Sequence, residues 1–64
     1  MNEWTGEAIR HLRAMVGDTQ PEFARRLKVA SITVSRWERA KQRIDQVNRR
    51  RLDRLAKRVG FEGV

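Results

Sequence analysis

The 64-residue chain predicts an all-α fold: a compact bundle of four helices, or five, built as one domain over residues 1–64. Three observations carry this reading. Apolar residues recur at helical spacing in four separate stretches. Residues suited to starting or stopping a helix bracket those stretches. There is no cysteine, so disulfides and thiolate zinc sites are excluded as staples and helix packing must hold the chain together. A core of this size leaves modest net stability and no room for a large active-site cavity.

Residues 1–4 carry no helical signal, and Trp4 either lids the end of the core or meets a second copy of the chain. The first helix runs from Thr5 or Gly6 to Val16, with Ile9, Leu12 and Val16 as an i, i+3, i+7 stripe, Ala8 and Met15 beside it, and Gly17 as its stop. His11 falls opposite the stripe and is expected to be solvated. It has no second ligand with which to hold a metal and no nucleophile to serve.

Residues 19–40 organise the rest. Thr19 and Glu22 form a capping box that starts a helix at Gln20, and Pro21 fits its first turn because no intrahelical bond needs the missing N–H. Phe23, Ala24 and Leu27 give this second helix its buried side. Val34 and Trp37 mark the inward side of a third helix over residues 31–39. Only a turn fits between the two, so residues 20–39 outline a helix-turn-helix. Ile32, Ser35, Arg36 and Arg39 point away from Val34 and make an outward face of two guanidiniums, one hydroxyl and one branched aliphatic. Such side chains can address guanine edges, phosphates and thymine methyls.

Lys41, Gln42 and Arg43 form a polar basic link. The last helix is expected from Gln46 to Val59, capped by Asp45 and stopped by Gly60, with Leu52, Leu55, Ala56 and Val59 as its core stripe. Arg50, Arg54 and Lys57 fall opposite, flanked by Arg51 and Arg58. Val47 is out of phase, so either the helix begins later or Val47 meets a partner subunit. Phe61 is expected to fold back on the core, and residues 62–64 to fray.

Fifteen Lys and Arg against eight acids give a formal charge of +7, more than solubility requires of a small domain, and imply an anionic partner. Twelve of the fifteen are arginine, which favours phosphate and base-edge recognition because the planar fork binds two acceptors at once. No apolar run is long enough to span a bilayer and no signal segment opens the chain, so a cytoplasmic location is expected.

In order and spacing, Thr19-Gln20, Glu22-Phe23-Ala24, Leu27, Val29 and Thr33-Val34-Ser35-Arg36-Trp37-Glu38 resemble the helix-turn-helix of the lambda-repressor-like (Xre, or Cro and phage repressor) family. Leu12-Arg13, Gly17 and the Leu52, Leu55, Ala56 run extend the resemblance over nearly the whole chain. It implies a helix-turn-helix DNA-binding domain whose third helix enters the major groove while the second crosses the backbone. For base contact the residues are Ser31, Ile32 and Arg36. For phosphate contact they are Gln20, at the head of the second helix, with Thr33, Ser35, Arg39, Lys41 and Arg43. The family also pairs an arginine and a glutamate at the positions of Arg13 and Glu38. Lys28 and Ala40 stand where the family commonly has glycine, and each carries about 1 kcal/mol of strain if its backbone is left-handed. Ala30 replaces the usual Ser or Thr cap, so Ser31 is expected to take over capping.

The functional expectation is a sequence-specific double-stranded DNA-binding transcriptional regulator, a repressor in preference to an activator, acting as a homodimer on a palindromic operator, with dimerisation only on DNA left open. The alternative is an antitoxin or adaptor-type interaction module with secondary DNA binding. No cofactor, small-molecule ligand or membrane partner is expected. No nucleophile with a base, metal set or phosphate loop can be assembled, so an enzyme is not expected either.

Overall fold

Each apolar stripe closes into a helix whose ends are set by local chemistry. The computed structural model describes residues 4–62. Among these the chain forms α1 (Gly6–Val16), α2 (Gln20–Leu27), α3 (Ser31–Glu38) and α4 (Gln46–Val59), with no strand. The Thr5 hydroxyl accepts the Ala8 amide at 3.1 Å to start α1. At α2 the Glu22 amide donates to Thr19 Oγ1 at 3.3 Å while the Glu22 carboxylate accepts the Thr19 amide at 2.8 Å. Asp45 accepts the Asn48 amide at 2.9 Å to start α4.

Only α3 lacks such a start. Ala30 occupies its cap position with no side-chain bond, and Ser31 is the first helical residue instead of the cap. The reason is in the backbone: the Thr33 amide already donates to the Ala30 carbonyl at 2.9 Å, so the first turn closes one residue ahead of Ser31. α3 also ends at Glu38, with Arg39 in the turn beyond it. Tertiary contacts must therefore hold this helix.

All four helices stop in the same way. Gly17 (φ 86°), Lys28 (φ 61°), Ala40 (φ 57°) and Gly60 (φ 73°) are left-handed. The amide that follows each reaches back five residues, from Asp18 to Arg13, Val29 to Ala24, Lys41 to Arg36 and Phe61 to Ala56. These are Schellman stops. Glycine adopts that backbone freely, whereas Lys28 and Ala40 do so against Cβ repulsion of about 1 kcal/mol or more each.

Ile9, Leu12, Phe23, Val34 and Leu52 are completely buried at the centre, with Trp37, Leu27, Leu55 and Ala56 around them. α3 packs chiefly on α2 and then on α1, while α4 lies against α1 and α2. The Cα radius of gyration is 10.2 Å, close to the roughly 11 Å of a compact chain this long. One close approach depends on glycine. A Cβ on Gly6 would lie 2.6 Å from the Trp37 and Glu38 carbonyl oxygens, so the start of α1 can meet the end of α3 only without a side chain.

The chain ends close over the bundle. Trp4 is buried, its indole N–H donates to Asp53 Oδ1 at 2.7 Å, and its ring stacks on Phe61 at 5.8 Å. Trp4 thus lids the core, and Phe61 folds back after Gly60 by the amide bond to Ala56. Of the expected frayed end, residues 63 and 64 lie outside the described residues. Three placements refine the sequence reading. Met15 is 53 % exposed, because at about 100° per residue it falls on the flank of the α1 stripe and that flank stays open. Val47 is 57 % exposed on a helix that does begin at Gln46. Ile44, directly after the polar link and given no role by the sequence pattern, is buried and pins that link to the core.

Candidate nucleic-acid interface

The outer face of α3 follows from how its inner face is held. Val34 and Trp37 are sunk in the core, and Glu38 beside them is only 8 % exposed although charged. A buried carboxylate is costly unless its lone pairs and charge are matched. Here they are. Arg13 on α1 donates from Nε to Oε2 at 2.6 Å and from Nη2 to Oε1 at 3.0 Å, and Gln20 on α2 donates from Nε2 to Oε1 at 3.1 Å. Arg10 stands 4.0 Å from Oε1 and donates to the Glu38 carbonyl. One side chain on α3 is thereby tied to both neighbouring helices. Burial pushes the Glu38 carboxyl up, but the hydrogen bonds from Arg13 and Gln20 and the charges of Arg13 and Arg10 outweigh it, so its pKa lies below the ordinary value. The Arg13 guanidinium is held charged more firmly for the same reason.

Held in this way, α3 turns Ser31, Ile32 and Arg36 outward as exposed side chains, with Ile32 49 % exposed, while Thr33 and Ser35 are half-buried at the edges. Arg39, Lys41 and Arg43 are exposed in the segment that follows. Arg39 Nε leans back on the Ser35 carbonyl at 3.4 Å, a long bond that leaves the guanidinium free to move. Lys41, Gln42 and Arg43 line a cleft of about 500 Å³ between this segment and the start of α1, and Trp37 forms part of its wall with an indole N–H that has no partner among the described residues. The polar groups named there, on Lys41, Gln42, Arg43 and Trp37, are four donors, which suits an anion.

Gln20 is placed differently from the sequence reading. Its amide faces inward to Glu38, not outward to a phosphate. The head of α2 offers little in its place, since Pro21 has no N–H, Thr19 already accepts the Glu22 amide and the Glu22 carboxylate adds a negative charge. The glutamate at position 38 explains this, because it needs donors from every side and Gln20 is within reach. Only the three-dimensional crossing of α2 over α3 could have revealed that partner.

The acids explain why the surface is so basic. Asp18 accepts Arg26 at 2.8 and 3.1 Å, Glu22 and Asp45 cap helices, Glu38 serves Arg13, and Asp53 holds Trp4. Among the described residues only Arg10, Arg13 and Arg26 form salt bridges. Of the remaining arginines Arg51 is half-buried and donates to the Leu27 carbonyl at 2.8 Å, and the others are exposed, so much of the formal +7 appears as outward positive field. No group of His, Asp or Glu side chains among the described residues is placed to hold a metal ion. No helix among them is long and apolar enough to cross a membrane.

Comparison of the chain with known protein families, with curated proteins and with solved structures finds no match.

Proposed function

We propose that this chain is a sequence-specific double-stranded DNA-binding transcriptional regulator with a lambda-repressor-like helix-turn-helix formed by α2 and α3. The observation that carries the proposal is the outer face of α3: exposed Arg36, Ile32 and Ser31 on a short helix pinned from behind, continued by exposed Arg39, Lys41 and Arg43. An α-helix fits the major groove, where an arginine fork meets guanine O6 and N7, a hydroxyl meets any of several base edges and an aliphatic side chain meets the thymine methyl. Thr33, Ser35, Arg39, Lys41 and Arg43 supply phosphate contacts that fix the register. One such module makes few contacts, so a homodimer on a palindromic operator, with half-sites about one helical turn apart, is the assembly in which it would bind tightly. A bound promoter is then blocked by occupancy. The adaptor reading is the weaker one, because a partner-binding helix presents a contiguous apolar patch and this face has Ile32 alone.

Arg36→Ala and Arg43→Ala test the assignment. Arg36→Ala is expected to relax preference at one base pair of each half-site, a loss of about 1–3 kcal/mol of discrimination. Arg43→Ala should weaken all duplexes alike and lower the slope of log affinity against log salt by about one. Uniform loss in both variants would remove Arg36 from the groove.

A further inference from the structure

The outward face of α3 has a narrow chemistry. Within Ser31–Glu38 only Ser31, Ile32 and Arg36 are exposed, Thr33 and Ser35 sit half-buried at the edges, and the sole carboxylate, Glu38, is buried against Arg13. The helix thus exposes no Asn, Gln, Asp or Glu. Those are the side chains that pair with adenine N6 and cytosine N4, so these base donors have only hydroxyls to meet. What remains is a guanidinium for the guanine acceptors and an aliphatic group for a methyl.

Ile32 and Arg36 are i and i+4, so their Cβ atoms lie about 5–6 Å apart on one face. A long helical side chain leans toward the helix N-terminus, which carries the Arg36 stem over the turn that holds Ile32. Base pairs stack about 3.4 Å apart, so the two side chains address positions one or two base pairs from each other. Ile32 is 49 % exposed and Arg36 forms no salt bridge among the described residues, so both are available to the groove.

We propose, resting on the DNA-binding reading, that Ile32 and Arg36 together recognise a C5-methylated pyrimidine one or two base pairs from a guanine, whether that pyrimidine is thymine or 5-methylcytosine. The C5 methyl is what those two bases share and what cytosine and uracil lack, and it projects into the major groove. With only hydroxyls to meet cytosine N4, this face separates pyrimidines by the methyl and not by the exocyclic group. Methylation of a cytosine at that position therefore strengthens binding without any change of base sequence.

The test uses the full chain and synthetic duplexes carrying the sequence it selects from a random library. The guanine read by Arg36 is the one whose preference is lost in Arg36→Ala. Each pyrimidine within two base pairs of it is then varied in its C5 group alone: thymine against uracil opposite adenine, and cytosine against 5-methylcytosine opposite guanine. Fluorescence anisotropy at near-physiological salt reads the affinities. At one position the methyl-bearing member of both pairs should bind about fourfold more tightly for each half-site altered, the value of one buried aliphatic carbon. Ile32→Ala should bind both members alike while keeping the guanine preference, its fold checked by circular dichroism. Equal affinity within the pairs at every position, or a methyl preference that survives in Ile32→Ala, overturns the proposal and leaves the regulator reading standing. A selected motif in which Arg36→Ala changes no guanine preference overturns the pairing of the two residues. Selection of no motif overturns the proposal and the regulator reading together.

Discussion

Removing the Glu38 carboxylate should come close to unfolding the domain. In Glu38→Ala the Arg13 guanidinium loses both its bonds to the carboxylate, at 2.6 and 3.0 Å, keeping only that from Nη1 to the Asp18 carbonyl, and Gln20 loses its acceptor. Stranding one member of a buried ion pair costs about 3–5 kcal/mol. The Arg13 side chain keeps 21 % exposure against 5 % for Glu38, so water can take back part of its charge and the lower end, ~3 kcal/mol, applies. Against a total stability of roughly 3–10 kcal/mol for a chain this long, that loss is large. At about 4–8 °C per kcal/mol it lowers the melting temperature by roughly 12–24 °C. Urea and thermal melts followed by circular dichroism measure it, and a cycle with Arg13→Ala isolates the coupling. Replacing both residues by leucine should recover part of the loss, because no charge is then left buried. If Glu38→Ala shifted stability by less than about 0.5 kcal/mol, as an ordinary surface change does, or if the two alanine variants were additive, Glu38 would not be the tie between α3 and its neighbours.

Three further outcomes are expected. Because the folded Glu38 pKa is depressed, the unfolded chain binds the extra proton. Its contribution is therefore complete above the ordinary carboxylate pKa of about 4.3 and is lost as pH falls toward and through the folded value. Urea midpoints below that pH should fall in the parent and fall less steeply in Glu38→Gln. Lys28→Gly and Ala40→Gly, at φ 61° and 57°, should each raise stability by a few tenths to about 1 kcal/mol after the extra chain entropy of glycine is subtracted, and a loss on both would contradict the left-handed stops. Gly6→Ala forces a Cβ to within 2.6 Å of two backbone oxygens and should destabilise by about 1–3 kcal/mol, read in the same melts.

Much of the helical architecture was legible because its determinants are local. The Thr19–Glu22 box, the Asp45 cap and the Gly17 and Gly60 stops each act within one turn, so the sequence locates the end of α1, the start of α2 and both ends of α4. The outward set on α3 was legible as the complement of Val34 and Trp37. What escaped is set by distant partners. Ile44 is one aliphatic in a stretch without period, and only the bundle it plugs gives it meaning. Trp4 finds Asp53 forty-nine residues away. Gln20 turns inward because Glu38 is buried beneath it. The α4 arginines were visible as a basic face, but that Arg51 turns back to the Leu27 carbonyl depends on how α2 and α4 cross.

Selection of bound sequences from a random duplex library at near-physiological salt tests the central claim most directly. A regulator of this kind should enrich a palindrome whose half-site centres lie about one helical turn apart, with the preference at one position of each half-site lost in Arg36→Ala. Weak, steeply salt-dependent binding without any enriched motif would contradict it, since the positive surface would then supply only non-specific attraction.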